Sequence, residues 1–307
     1  LESDRLMPRK QRHTARRIHD RLLSETDYDG EYSTTQRYVR RWRQANQAPS
    51  DGYCELEWAP GTAQVDFGVA RARIAGEWVE DHCLVVTFPH SNMRYVASMP
   101  GENAECLCHG LLLVFGHVGG VPPVLVLDNA TGAGHRDAKG HVTLTKVFDA
   151  FLSRHRIEAR FCNPYSGHEK GAVESKVGMV RRKLFVPRPS VWSLENFSAG
   201  LPDRCLELAT KPHCRKDTEE RGLFSEDRAA LLPLPGKRFD VVTWRHMKAD
   251  RYGVVTLEGR HRYSADRANA GRGVIVGLRA LEVEVLDSSG KHLAISRKAG
   301  IVRYCLI

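Results

Sequence analysis

The sequence lacks the features of a disulfide-rich, zinc-finger, nucleotide-binding or membrane protein. Its eight cysteines include no CxxC pair, and neither Cys106 with Cys108 nor the group Cys205, His213 and Cys214 has zinc-finger spacing, so we expect reduced cytosolic thiols. The glycine-rich segment GAGHRDAKG has no Walker spacing, which excludes a P-loop. The apolar stretch 110–127 is nearly long enough to span a bilayer, but its glycine and proline pairs favour a turn between a helix and a strand.

The first feature that indicates a function is an excess of basic residues. The chain of 307 residues has 46 Lys and Arg against 37 Asp and Glu, a net charge of +9 and a pI near 9.2. This balance favours a polyanionic partner, with nucleic acid as the first candidate and a solvated basic surface as the alternative. The length suggests about two or three domains, and we expect the chain to be an internal segment of a longer protein.

Helical spacing dominates the first part of the chain. Residues 12–44 predict two helices, with Ser33 as the N-cap of the second and Tyr38, Val39 and Trp42 packing inward. The charge of the second helix comes from Arg37, Arg40, Arg41 and Arg43. This pattern indicates a helix-turn-helix whose second helix enters a major groove, or else an ordinary helical hairpin with an arginine-rich surface.

From Gln64 onward the periodicity becomes that of strands. AQVDFGVARA alternates, with Gln64, Asp66 and Gly68 on one face, and two further strands follow a turn at Gly76. The order β-β-β-α-β-α-β-α then predicts an α/β fold: a mixed five-stranded sheet with helices on both faces.

Three carboxylates occupy informative positions on these elements. Asp66 lies within the first strand, Asp128 follows the buried run VLVL, and Glu174 lies in the first turn of the last helix. If the first and fourth strands are neighbours, both aspartates approach one point from the sheet while Glu174 reaches it from the helix. Three carboxylates at one point repel each other and need cations, and their hard oxygens suit Mg²⁺ or Mn²⁺.

These residues resemble a known family. Asp66 in QVDFG, Asp128 in LVLDNA and Glu174 in NPYSGHEKGAVES are similar to the three acidic motifs of DDE transposases and retroviral-type integrases, which share the ribonuclease H-like fold. IstA-type transposases of bacterial insertion sequences are especially similar, with a QVDF or QVDW strand, a DN strand end and a KGxVE helix. The resemblance implies that Asp66, Asp128 and Glu174 are the catalytic metal ligands of a ribonuclease H-like core.

The resemblance also sorts the neighbouring residues. The KGxVE motif selects Glu174 over Glu169, and Asp137 and Asp149 are expected to be a loop residue and a solvated helix residue. Integrase-like helices often carry a basic residue one turn after the glutamate, where this chain has Gly178. We expect the DNA contact to shift along the helix. Residues that could orient water or DNA are Asn129, Asn163 and His168.

The rest of the chain predicts two helices, over about 193–210 and 216–231, and then short strands typical of a small β-barrel. The predicted division is a helix-turn-helix segment 1–48, a linker 49–60, a catalytic core 61–186, a helical linker 187–236 and a barrel 237–307. The barrel could bind DNA or serve subunit contact. The candidate DNA contacts are Arg37, Arg40, Arg41, Arg43, Lys170, Arg181, Arg182, Lys183, Arg245, Arg260 and Arg262.

The predicted function is that of a transposase. It would cleave transposon ends and join the freed 3′-hydroxyl to target DNA, using two Mg²⁺ ions per active site with Mn²⁺ as a substitute. The alternatives are a DNA-binding regulator that does not cut and a nuclease of the same fold that does not join strands. The resemblance further implies a homo-oligomer on transposon ends and target DNA, a helper AAA+ ATPase of the IstB type, and a cytoplasmic, nucleoid-associated location without a membrane.

Overall fold

The structure is a computed structural model that describes Asp4 and residues 12–46, 57–127, 132–137, 140–162, 177–213, 216–258 and 261–297. The chain divides into two units, Leu1–Leu56 and Glu57–Ile307. The finer boundaries that the sequence predicts within residues 57–307 stay predictions.

The first unit contains the two predicted helices, α1 (Ala15–Glu25) and α2 (Tyr32–Ala45). The hydroxyl of Thr14 caps α1 by accepting the backbone N–H of Arg17. The helices pack through His19, whose Nδ1 lies 3.1 Å from the Thr35 hydroxyl. A helix-turn-helix that reads DNA stays a prediction.

Two expectations about α2 are wrong. The N-cap is Glu31 rather than Ser33, because the helix begins one residue before the serine. Tyr38 is 63% exposed, whereas Val39 is 2% exposed. The inward face of the helix runs through Thr35 and Val39, which are one turn apart, and Tyr38 falls beside that face.

The second unit is built on a mixed sheet. Its chain first forms β1 (Thr62–Ile74), β2 (Glu77–Phe88), β3 (Met93–Met99), β4 (Val124–Leu127), the hairpin of β5 (Gly134–Arg136) and β6 (Val142–Leu144), and β7 (Glu158–Phe161). The sheet order is β3-β2-β1-β4-β7, with β1 to β3 antiparallel and β4 and β7 parallel to β1. This is the strand order of the ribonuclease H-like fold, so the predicted fold class is confirmed. A short strand β8 (Ser190–Val191), which the sequence did not predict, also pairs with β1.

Helices cover both faces of this sheet. They are α3 (Ala104–Val118), α4 (Lys146–His155), α5 (177–184), α6 (Leu194–Leu208) and α7 (Glu220–Ala229). A Cβ on Gly110 of α3 would lie 2.6 Å from Leu84, and a Cβ on Gly68 would lie 2.5 Å from Val177 of α5. Gly68 pairs with Cys83, the neighbour of Leu84, so the two helices contact opposite faces.

The apolar stretch 110–127 is a helix, a turn and a strand, as predicted. Gly119 ends α3 in the left-handed region at φ 78°, where glycine is favoured, and β4 begins five residues later. Within the described residues, no helix is both long and apolar enough to cross a membrane.

The C-terminal part is antiparallel. It contains β9 (Thr243–Lys248), β10 (Val254–Leu257), β11 (His261–Ser264), β12 (Gly273–Leu278), β13 (Glu282–Asp287) and β14 (His292–Arg297). The described pairings are a sheet of order β14-β13-β12-β9 and a β10-β11 hairpin, which share one hydrophobic core. Closure into a barrel stays a prediction.

One buried carboxylate makes stability depend on pH. Asp81 on β2 is fully buried, and burial raises the pKa of its carboxyl from 3.8 to about 6, although the Ser98 hydroxyl donates to Oδ1. Because the folded state binds the proton more tightly, the stabilisation is full below about pH 4 and is lost as pH rises through about 6. We expect Asp81→Asn to be more stable than the parent chain at pH 7 by about 3 kcal/mol, and the difference to shrink toward pH 4.

Urea unfolding at pH 4 to 7 would measure this difference. Asp149→Asn is the matched control, since Asp149 is exposed on α4 and should show no such trend. An unchanged gap between the Asp81 variant and the parent across the range would contradict the prediction.

Candidate active site

Asp66 lies inside the central sheet with neighbours on both sides. It pairs with Val85 of β2, and the residue before it, Val65, lies opposite Leu127 of β4. Its side chain is half-buried, and Oδ1 accepts the backbone N–H of Phe67 at 2.8 Å. The first and fourth strands are therefore neighbours, which is the condition that the predicted carboxylate site requires.

The two other predicted ligands lie outside the described residues, as do the neighbouring candidates Asn129, Asn163, His168 and Glu169. The structure does describe Leu127, the residue before Asp128. Leu127 lies opposite Val65, the residue before Asp66.

Helix α5 packs directly on β1 beside Asp66. Gly68 is two residues after Asp66 on the same face of the strand. A Cβ at Gly68 would lie 2.5 Å from Val177 Cγ1, 3.2 Å from Cys83 Sγ and 3.8 Å from Arg181 Nε. Val177 follows Glu174 by three residues. The close approach of strand and helix therefore depends on glycine at position 68.

We expect Gly68→Ala to push α5 away from β1. The added methyl would overlap Val177 Cγ1, which cannot swing away because valine has a stiff χ1. Overpacking of this kind costs about 1–3 kcal/mol of the free energy of unfolding. Urea denaturation would measure the loss. Gly68→Ala/Val177→Ala, which removes the overlap, should recover part of it.

Gly273→Ala is the matched control. Gly273 lies on β12 with open space where a Cβ would be placed, so alanine should be tolerated there. Equal losses at positions 68 and 273 would mean that the close approach to α5 is not the cause.

A guanidinium lies next to Gly178, the position at which the sequence departs from the integrase pattern. Arg182 is exposed on α5, and its Nη1 lies 3.5 Å from where a Cβ of Gly178 would be. Side chains on a helix lean toward its N-terminus, so Arg182 covers the turn before its own. Arg182 therefore brings positive charge back to the turn that contains Gly178.

The position of Arg182 predicts that an arginine at position 178 can replace it in DNA binding. Arg182→Ala should weaken binding to duplex DNA and lower the salt slope of log affinity by about one, as expected for one lost phosphate contact. Gly178→Arg/Arg182→Ala should restore both the affinity and the salt slope. The arginine at position 178 would supply positive charge at the turn that Arg182 no longer covers. Fluorescence anisotropy at several salt concentrations measures the slopes. A double variant as weak as the single one would contradict the idea.

A buried ion pair beneath α5 was missed by sequence reasoning. Arg94 on β3 is 3% exposed, and its guanidinium donates to the Glu220 carboxylate of α7. Its Nη1 also lies 2.8 Å from Sδ of Met179 on α5. The available signal was a lone cation in the otherwise uncharged strand MRYVASM. Arg94 thus ties the sheet, α5 and α7 together.

Comparison with known proteins adds a second line of observation. The transposase for insertion sequences IS1326/IS1353 of Pseudomonas aeruginosa is 27% identical over 302 residues, which is 96% of this chain and 59% of that protein. A transposase of Aminobacter aminovorans is 29% identical over 282 residues, covering 89% of this chain and 55% of its own. The chain is therefore similar over most of its length to proteins named as insertion-sequence transposases. It spans less than two thirds of the length of these relatives.

Comparison with solved structures and with family models does not extend the similarity to transposases. The match to the HTLV-2 integrase catalytic core domain in complex with magnesium covers 54% of this chain and 97% of that domain, at 15% identity and a TM-score of 0.38. No family model matches the chain. The fold assignment rests on the strand order of the central sheet.

The remaining acidic and cysteine candidates have ordinary roles. Asp137 lies in the β5–β6 hairpin, where Oδ1 accepts the His141 N–H, and Asp149 is exposed in the first turn of α4. The described cysteines are buried thiols, and burial raises the pKa of Cys83 and Cys205 to about 12. In the described part of the chain, no group of three or more His, Cys, Asp and Glu could hold a metal ion, while Asp128 and Glu174 lie outside that part.

The predicted DNA contacts fall into three groups. On α2, Arg37, Arg40, Arg41 and Arg43 are all exposed, and Arg43 donates to the His13 carbonyl. On α5, Arg181, Arg182 and Lys183 are exposed in the last turns. Arg245 is exposed on β9, and Arg262 lies 3.6 Å from Asp250. Lys170 and Arg260 lie outside the described residues. DNA contact by any of them stays a prediction.

Proposed function

We propose that the chain contains the catalytic part of a DDE transposase, with Asp66, Asp128 and Glu174 as the catalytic carboxylates. The main observation in support is that three segments lie next to one another: β1, the end of β4 and helix α5. Val65 of β1 lies opposite Leu127 of β4, and Gly68 of β1 is in contact with Val177 of α5. Each segment adjoins one carboxylate of the acidic motifs, and the relatives named transposases support the same activity.

The donor chemistry fits divalent cations. Asp66 presents a half-buried carboxylate at the β1–β4 pair, and the two other candidates are carboxylates as well. Carboxylate oxygens are hard ligands that suit Mg²⁺, with Mn²⁺ as a substitute. Two ions held by Asp66, Asp128 and Glu174 would lower the pKa of an attacking hydroxyl and stabilise the departing oxygen.

The reaction has two steps. In the first, a water oxygen attacks the phosphorus at a transposon end, the bond from phosphorus to the 3′ oxygen breaks, and that oxygen leaves as a 3′-hydroxyl. In the second, this 3′-hydroxyl attacks a phosphodiester of target DNA, a new phosphodiester forms, and the 3′ oxygen of the target strand leaves. Neither step needs a nucleophile from the protein.

The described residues have positioning roles in this scheme. Gly68 lets α5 approach β1, and the buried Arg94 holds Met179 on the same helix. Arg181 Nε lies beside Gly68, which is two residues from Asp66 on the same strand face, and in this scheme its guanidinium would bind a phosphate of the DNA backbone near the carboxylates. Arg182 and Lys183 extend this positive surface along the helix.

The partners follow from the same activity. The substrates would be double-stranded transposon ends and target DNA, which the net charge of +9 favours. The α2 arginines and the C-terminal strands would supply further backbone contacts. Assembly of several copies on DNA and delivery of the target by an IstB-type AAA+ ATPase complete the proposal.

The test is strand transfer of a pre-cut transposon-end oligonucleotide into plasmid DNA with Mg²⁺ or Mn²⁺, comparing the chain with Glu174→Gln. Joined product that disappears in the variant supports the transposase. Metal-dependent nicking without joining would indicate the nuclease alternative. Binding without either reaction, with the full-length protein and the ATPase both supplied, would favour a DNA-binding regulator.

A further inference from the structure

Two tryptophans are exposed together at the tip of the β1–β2 hairpin. Trp78 of β2 is 57% exposed, and Trp192, the residue after β8, is 85% exposed. The backbone holds them at the same tip, because Ala75 N donates to the Val191 carbonyl at 2.9 Å. Single exposed apolar residues are common, but exposed apolar side chains that lie close together mark interaction sites.

Arginines flank this pair of rings. Arg73 lies opposite Trp78 across the hairpin and opposite Ser190 of β8 on its other side. Trp78 and Ser190 are thus two strand spacings apart, or roughly 10 Å. The Arg188 guanidinium lies 5.6 Å from the centre of the Trp78 ring, and Arg73 Nε donates to the Gly76 carbonyl at 2.7 Å. Both cations are held near the rings.

The chain that joins α5 to the hairpin tip is cationic. The segment 177–193 has four cationic residues and no Asp or Glu. Those cations are all exposed: Arg181, Arg182, Lys183 and Arg188. The carboxylates Glu77 and Glu80 lie on β2, and Glu80 is opposite Arg71, which offsets it. Positive charge therefore prevails at the hairpin tip, where Arg73 and Trp78 lie on the sheet face opposite the one that carries Asp66 and Gly68.

We infer that Trp78 and Trp192 form a stacking surface for unpaired bases of DNA, with Arg73 and Arg188 contacting the adjoining phosphates. Exposed aromatic rings beside guanidinium groups fit this partner, since bases stack on such rings while cations bind the backbone. An acidic protein would suit the cations alone and leave two large rings without a specific role. The source of the unpaired DNA rests on the proposed function: single strands of a transposon end that extend beyond the catalytic carboxylates, since Arg73 is seven residues, or roughly 23 Å, along β1 from Asp66.

Intrinsic fluorescence tests this inference without any catalytic step. The chain would be titrated with a single-stranded oligothymidylate in EDTA, and binding would be followed by quenching and by anisotropy of a labelled oligonucleotide. We expect Trp78→Ala and Trp192→Ala each to weaken binding about tenfold, within the range for loss of one stacked base. Trp192→Phe should retain most of the affinity, because a ring remains.

Leu113→Ala is the control. Leu113 is a large apolar side chain, 38% exposed on α3, and its loss should leave binding to the oligothymidylate unchanged. The inference is overturned if the parent chain does not bind single strands, or if the Trp78 and Trp192 variants bind them as tightly as it does. An equal loss for duplex DNA would also overturn it, since that would indicate backbone contact without stacking. Loss of self-association with unchanged DNA binding would identify a contact between copies instead.

Failure of this inference and failure of the proposed function are separable. Strand transfer by the parent chain does not require that Trp78 or Trp192 bind unpaired bases. Stacking, in turn, is measured in EDTA and does not depend on the three carboxylates.

Discussion

Asp66→Asn is expected to lower both end cleavage and strand transfer by at least about 1,000-fold, since several kcal/mol of charge stabilisation would be lost and each 1.36 kcal/mol is tenfold in rate. The amide has the shape of the carboxylate and can still accept the Phe67 N–H, so the strand should keep its register. DNA affinity should change little, because no cationic side chain is removed. Gel assays of cleavage and joining, with anisotropy for binding, measure the two effects separately.

Asp149→Asn is the control for this experiment. It makes the same chemical change at an exposed helix position and should leave both reactions intact. Loss of DNA binding in the Asp66 variant to the same degree as loss of joining would show that Asp66 is structural. A manganese rescue of residual activity would further support a ligand role, because Mn²⁺ accepts nitrogen and oxygen donors more readily than Mg²⁺.

The second large effect is expected from Glu220→Ala. This change leaves the guanidinium of Arg94 buried without its carboxylate, and breaking a buried pair in this way costs about 3–5 kcal/mol of the free energy of unfolding. The effect should reach α5, because Arg94 also contacts Met179. Urea unfolding measures the loss, and faster amide hydrogen exchange over residues 177–184 would locate it.

Glu226→Ala supplies a matched control on the same helix. Glu226 pairs with His90 at 2.8 Å, but its side chain is 55% exposed, so its loss should cost no more than about 1 kcal/mol. Arg94→Met/Glu220→Leu, which removes both charges, should be more stable than Glu220→Ala alone. Similar losses for the Glu220 and Glu226 variants would contradict the account of the buried pair.

The elements around the active site could be predicted because their signals are local. Alternation identified β1, the buried run VLVL identified β4, and valines at helical spacing identified the helix that includes 177–184. The strand β8 was missed because two residues carry no periodicity; it exists through its pairing with β1. Ser33 was misassigned because the helix begins one residue before it, and Tyr38 because neighbouring helix residues point about 100° apart, which leaves it beside the face that Thr35 and Val39 bury.

The sequence by itself determined the order of the main strands and helices of the central sheet, the three acidic motifs and the excess of positive charge. Only the tertiary structure decided that Val65 lies opposite Leu127, that Val177 fills the space above Gly68, and that Trp78 and Trp192 share one hairpin tip. It also decided that Arg182 lies beside Gly178 and that Arg94 pairs with Glu220. The physical reason is that sequence patterns report local structure, over a few residues, and not contacts between distant segments. Periodicity reports which face of an element is buried, whereas the partner on that face depends on how elements distant in the chain pack together.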